Sequence, residues 1–156
     1  MKKTLAGPVK NNGKSIAIVV SRFNEFITRR LLDGCLDEFK KLGVKDRQLT
    51  IVWVPGSLEI PVAALRLARK KSIHAVICLG AVIRGETLHF ELVSRGAAEG
   101  IAQVALTTGK PVIFGVLTTD TVNQAYKRSQ EKGDNKGREA ARNALEMMNL
   151  LQLLEK

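Results

Sequence analysis

Four stretches of this chain are apolar almost without a break: Ser15–Ser21, Leu49–Val54, His74–Gly80 and Pro111–Leu117. A strand with one wet face alternates polar and apolar side chains, whereas a strand covered on both faces has no reason to. Such strands need helices above and below them. The chain supplies these, because each apolar run is followed by a punctuated turn and then by residues at helical spacing.

From Asn24, a residue type suited to an N-cap, Phe26, Ile27, Leu31, Leu32, Cys35, Leu36 and Phe39 recur at helical intervals until Gly43 ends the pattern. Pro55-Gly56 turns the chain, and Pro61 fits only the first turn of a helix running to about Lys71. A third helix is expected from about Thr87 to Thr108, and a fourth from a cap at Asp120 to about Gln130. A fifth spans Asn135–Leu154, with Ala141, Ala144, Leu145 and Met148 on one stripe. Crossovers between parallel strands are right-handed, so the expected fold is α/β: a flavodoxin-like three-layer αβα sandwich on a four-stranded parallel sheet. Residues 1–14 read as an N-terminal arm and residues 15–156 as one domain.

The charge balance matters because a net charge of +10 invites a nucleic-acid partner. Much of the excess sits in the arm, at Lys2, Lys3, Lys10 and Lys14, and at a helix end, at Arg66, Arg69, Lys70 and Lys71. No zinc-finger spacing, RNP-like aromatic pattern or helix-turn-helix signal accompanies it, and aromatics make up only 4% of the chain. Nucleic acid is therefore not an expected partner. Cys35 and Cys78 fit no metal-ligand spacing and suit buried thiols in a reducing compartment. No apolar segment reaches membrane-spanning length, and the reading is a cytoplasmic protein.

In open parallel sheets, ligands bind beyond the carboxyl ends of the strands. Those ends are Ser21–Asn24, Val54–Glu59, Gly80–His89 and Leu117–Asp120. In the third, a turn bracketed by Gly80 and Gly85 is expected to open a helix carrying His89 near its start. Free amides there attract phosphate, and the same field disfavours imidazolium. Contact at Glu86 would run through the backbone, with its carboxylate turned away. His74, at the opposite end of the sheet, reads as a surface residue. Phe23 could stack on a flat ring or staple the next helix. Glu59 could accept from a ligand or merely complement the helix dipole. Arg128 and Lys136 flank the break between the last helices. A cation in the first turn of the final helix is unfavourable without an anion nearby, which hints at phosphate; an ordinary charged loop is the plainer reading. Signatures for nucleotide phosphates, dinucleotides and nucleophile elbows are absent from the sequence.

Taken together, Arg22-Phe23-Asn24, the Val54–Pro61 block, the Leu79–Phe90 block, Pro111–Thr118 and Asn135-Lys136-Gly137 stand in the order found in lumazine synthases. The resemblance runs from about residue 15 to residue 152. It implies condensation of 5-amino-6-ribitylaminouracil with 3,4-dihydroxy-2-butanone 4-phosphate to 6,7-dimethyl-8-ribityllumazine, without metal or redox cofactor. By motif match it implies that Phe23 stacks on the pyrimidine, that Ser57, Leu58 and Glu59 hold the ring edge and ribityl chain, and that Ala81, Val82 and Ile83 line the same pocket. Glu86 and Thr87 amides with Arg128 would bind phosphate, and His89 would move protons. Phe114 and Lys136 would reach the site from a neighbouring subunit.

The resemblance further implies a homopentamer and, in many members, an icosahedral shell of twelve pentamers, with riboflavin synthase as an associated partner. The arm would add a strand to a neighbouring subunit. Gln130–Gly137 carries no insertion relative to the family pattern, but two glycines and a threonine of that pattern are replaced, and Leu58 stands at a position that is often aromatic. Rival expectations are a non-catalytic flavin-binding or shell-forming homologue, an archaeal-type riboflavin synthase, and polyanion binding through the arm.

Overall fold

The computed structural model describes residues 1–156. Four strands, β1 (Ile16–Ser21), β2 (Leu49–Val54), β3 (Ala75–Ile83) and β4 (Val112–Thr119), form one all-parallel sheet in the order β2-β1-β3-β4. The helices are α1 (Glu25–Lys41), α2 (Ile60–Ala68), α3 (His89–Thr108), α4 (Val122–Lys127) and α5 (Lys136–Leu154). This is the flavodoxin-like three-layer sandwich that the unbroken apolar runs require.

Alternation along each strand splits the core in two. Ile16, Ile18 and Val20 join Ile77, Leu79 and Ala81 beneath α1 and α5, where Ile27, Leu31, Phe39 and Leu145 are fully buried. Ala17, Val19, Val76 and Cys78 face the other way, toward Ile60, Ala64, Ile101 and Val104 of α2 and α3. Each large aliphatic side chain so buried contributes about 1.5–3 kcal/mol relative to exposure. Cys35 lies in the first layer and Cys78 in the second, with the sheet between them, and burial pushes both thiols up. Both cysteines are therefore unreactive packing residues.

The α1–α5 contact is close. A Cβ on Gly137 would lie 1.8 Å from the Leu31 carbonyl oxygen. Asn135 caps α5 by accepting from the Gly137 and Arg138 amides, and buried Glu38 receives Arg142 Nη1 at 2.9 Å. Part of the arm lies against the same layer: Asn149 Nδ2 donates to the carbonyls of Pro8 and Lys10. Met1–Ala6 are exposed. No helix is long and apolar enough to cross a membrane.

Several local expectations are corrected. β3 does not stop at Gly80 but runs through it to Ile83, because Gly80–Ile83 pair with Val116–Thr119. The turn is accordingly Arg84–Leu88, and α3 starts at His89 rather than Thr87. Asn24 occupies the cap position of α1 without capping it: its backbone is left-handed (φ 59°), and its Nδ2 donates 2.8 Å to the Ala81 carbonyl. Thr121, not Asp120, caps α4 through the Gln124 amide, and α4 ends at Lys127. α2 ends at Ala68, so Arg66 lies in its last turn and Arg69, Lys70 and Lys71 follow it. Phe26 is exposed and meets Tyr126 instead of the core.

His74 is also corrected: it is half-buried, and its Nδ1 is sealed from solvent without a hydrogen-bond partner. Partial burial, with Lys14 and Lys110 nearby, lowers its pKa from the ordinary 6.5. A base whose pKa falls on folding is protonated first in the unfolded chain, so stability is lost as pH drops below about 6.5 and is fully kept above it. Urea midpoints at pH 7.5 and pH 5.5 should differ in the wild type and differ less in His74→Gln; an unchanged difference would refute this.

Candidate active site

Three strand ends and the start of α3 enclose a cavity of about 440 Å³. The first wall is the β1–α1 turn. Here Arg22 and Phe23 amides donate to the Val54 and Pro55 carbonyls, at 2.8 and 3.0 Å, which ties this turn to the end of β2. Asn24 fastens the turn on its other side to β3 at Ala81. A non-glycine residue in the left-handed region costs about 1 kcal/mol, and asparagine tolerates it better than most. The result holds Phe23 at the cavity rim, 69% exposed.

The second wall is the short 3-10 turn Ser57–Glu59, which leads directly into α2 with Pro61 in its first turn. It sits close to the sheet because residue 80 has no side chain: a Cβ there would lie 2.6 Å from Ser57 Oγ and 3.2 Å from Ser21 Oγ. Gly80 is thus a packing glycine, not a turn glycine. α3 approaches the same wall through Gly96 and Gly100, whose added Cβ atoms would strike Leu58 and Pro61 at 2.7 and 2.6 Å. Ala81, Val82 and Ile83, at the end of β3, supply an apolar floor.

The third wall is Arg84–Leu88 with the first turn of α3. The backbone amides of Gly85, Glu86, Thr87 and Leu88 donate to no group of the protein. His89, the first residue of α3, is exposed and lines the cavity, while its own amide reaches Thr87 Oγ1 at 3.3 Å. Unpaired amides at a helix start form an anion cradle, and an imidazole beside them can exchange protons with whatever lies in it.

Nine of the residues singled out from the sequence meet at this cavity: Phe23, Ser57, Leu58, Glu59, Ala81, Val82, Ile83, Thr87 and His89. Pro55, Gly56 and Gly85, from the strand-end turns named in the sequence, line it as well, together with Phe90 and Val93, to which the sequence assigns no role. Val93 stands one helical turn beyond His89, so helical periodicity could have found it.

Four residues do not line the cavity. Glu86 belongs to its third wall without facing it. Phe114 is half-exposed on β4, an edge strand. Arg128 and Lys136 lie together at the α4–α5 break, where the Lys136 amide donates 2.9 Å to the Arg128 carbonyl. Arg128 Nη1 donates to Gln124 O, and Lys136 Nζ pairs with Glu139 at 2.9 Å, which raises the lysine's pKa. Within its own subunit Lys136 therefore already has one anionic neighbour, Glu139 of the same helix. A larger crevice of about 550 Å³ beside α1 has no hydrophobic wall, and its Arg138 and Lys41 lie beside Asp37, at 3.7 and 2.8 Å.

A parallel sandwich with a half-apolar cavity and free amides at its strand ends is the layout of an enzyme for small anionic substrates. The profile of the 6,7-dimethyl-8-ribityllumazine synthase family matches residues 13–152, and the chain belongs to that family. It is accordingly a transferase-type member of a family of riboflavin biosynthesis.

The tight fit at Gly80 is testable. Gly80→Ala should cost about 1–3 kcal/mol in denaturant unfolding, as overpacking does. Gly85→Ala, where nothing lies within 4 Å of the new Cβ, should stay within about 0.5 kcal/mol. Equal effects would show that Ser57 does not hold the wall in place.

Proposed function

We propose that the chain condenses 5-amino-6-ribitylaminouracil with 3,4-dihydroxy-2-butanone 4-phosphate to give 6,7-dimethyl-8-ribityllumazine, phosphate and water. The observation that carries this reading is the single cavity in which an aromatic rim, a polar turn, four free amides and His89 converge. Family membership supports the same reaction.

Phe23 stacks on the uracil while the Ser57–Glu59 turn takes its polar edge and ribityl chain. The Glu59 carboxylate accepts from N–H and hydroxyl donors. The butanone phosphate places its phosphoryl group on the amides at Glu86 and Thr87, which brings its carbonyl toward the uracil amine. The amine attacks that carbonyl, and loss of water gives an imine. A proton is removed next to the imine as the C–O bond to phosphate breaks, leaving an enol. The enol takes up a proton to become a ketone. The ribityl-bearing nitrogen closes on that ketone, and a second water departs. His89 stands beside the phosphate cradle and moves protons in the imine and elimination steps.

A cavity open on one side accommodates the remaining motif residues from a second copy. Phe114 would cover the pyrimidine, and Lys136 would approach the phosphate. Arg128 must travel with Lys136, since their backbones are hydrogen-bonded. A surface that gives Phe114 and receives at Phe23 is not self-complementary, and repeated contacts of that kind form a ring when the rotation between copies closes. The ring proposed is a pentamer, with the arm contributing a strand to its neighbour and pentamers associating into a cytoplasmic shell able to engage riboflavin synthase.

Mixing the purified protein with both substrates should yield the lumazine absorbance; folded protein that produces none would end this reading and leave a binding or shell-forming role. His89→Ala should lower kcat about 10²-fold, short of abolition, because positioning still contributes. Arg128→Ala should raise KM for the phosphorylated ketone about 10-fold and spare KM for the uracil, as expected for loss of one Arg–phosphate contact. A change confined to the uracil's KM would contradict that role.

A further inference from the structure

One conspicuous residue of the third wall has no part in the chemistry so far. Arg84 follows β3 and extends its ladder by one hydrogen bond, from its amide to the Thr119 carbonyl at 2.8 Å. Its guanidinium makes three further contacts. Nε donates to Asp120 at the end of β4 at 2.8 Å, Nη1 donates to Glu91 in the first turn of α3, and the plane lies 4.4 Å from the centroid of the Phe90 ring. The two carboxylates raise the arginine's pKa, and the arginine in turn lowers that of Glu91.

We propose that Arg84 is a positioning residue of this site, a clamp that fixes the phosphate-binding turn and His89 by joining the end of β4 to the first turn of α3. The inference rests on the reaction proposed above. Its geometry is a closed loop: the backbone leaves the sheet at Arg84, passes the free amides of Gly85–Leu88, and returns at Glu91, where the side chains of residues 84 and 91 close the circuit. Of the six residues inside, Gly85–Leu88 have no backbone hydrogen bond of their own through N–H. Their orientation is therefore set at the two ends. Asp120 anchors one end to β4, and Phe90, itself a cavity residue beside His89, carries the guanidinium on its ring.

Direct phosphate binding by Arg84 is the competing role. The pairing argues against it, because the guanidinium is already engaged by Asp120 and Glu91 and lies over the Phe90 ring. A lysine is no substitute for a clamp of this shape. The planar guanidinium spans two acceptors while lying on a ring, and an ammonium is a single point charge.

The clamp is exposed, with Arg84, Asp120 and Glu91 side chains 45%, 63% and 42% accessible. Exposed pairs contribute little to global stability, so its loss should register in catalysis rather than in folding. In the assembled protein, Arg84→Ala, Asp120→Asn and Glu91→Gln should each raise KM for the butanone phosphate and the inhibition constant of inorganic phosphate. About 10-fold is expected for Arg84→Ala and less for the other two, with kcat lowered and KM for the uracil unchanged. Arg84→Lys should behave like Arg84→Ala, and the Arg84→Ala/Asp120→Asn pair should be no worse than Arg84→Ala alone. Lys41→Ala, which breaks the exposed pair with Asp37 on α1, should change none of these constants.

Wild-type constants in Arg84→Ala overturn the inference. So does a rise in phosphate KM for Arg84→Ala accompanied by a fall for Asp120→Asn and Glu91→Gln, which would mark Arg84 as a phosphate ligand. A uniform loss of activity in step with lost folded protein would reduce Arg84 to a structural role and equally overturn it. If the wild type binds inorganic phosphate but forms no lumazine, the proposed reaction fails instead, and the phosphate affinities of the same variants still decide the clamp.

Discussion

Burial of β3 from both sides is the constraint on which the rest of the molecule depends. Its residues Ala75–Val82 are buried almost completely, with β1 and β4 bonded along its flanks and helices above and below. A strand in that position can end only where the layers end, and its last residues then become the floor of whatever opens there. The apolar floor of the cavity, Ala81–Ile83, is simply the core emerging at the edge of the sheet. The polar parts of the site are added by the three turns that converge on this edge, each tied to its neighbour by main-chain or amide bonds such as Phe23 to Pro55 and Asn24 to Ala81.

The layered fold was legible because its signals are collective. Ile27, Leu31, Cys35 and Phe39 repeat with the helix, and Ile16–Val20 have no polar partner to alternate with, so periodicity alone assigns both elements. Sequence and structure part where one residue type serves two purposes. Gly80 reads as a turn because glycine usually supplies backbone freedom; here it supplies space for Ser57, a contact with a residue more than twenty positions away. Asp120 and Asn24 look like helix caps because their side chains suit that task locally. The first is drawn to Arg84 and the second to the Ala81 carbonyl, and neither partner is visible in the nearby sequence.

The candidate site divides in the same manner. Residues on the three turns were legible from their position after apolar runs, together with the family resemblance. Phe90 and Val93 carry no polar group that marks a site by itself, although Val93 shares a helix face with His89 one turn earlier. Arg128 and Lys136 carry the clearest lesson about charge. A cation at the start of α5 points to an anion nearby, and within the subunit Glu139 one turn on is such an anion. Sequence-level electrostatics identifies an imbalance before it identifies the group that relieves it.

The shared space at Gly80 has a consequence for how chains of this kind can change. Positions 80 and 57 compete for space, since a methyl on residue 80 would lie 2.6 Å from the hydroxyl of Ser57, with Ser21 Oγ and Ile60 Cδ1 at 3.2 and 3.3 Å. Enlarging residue 80 therefore costs less once residue 57 has lost its hydroxyl, so the order of substitutions sets the steric cost that each one meets.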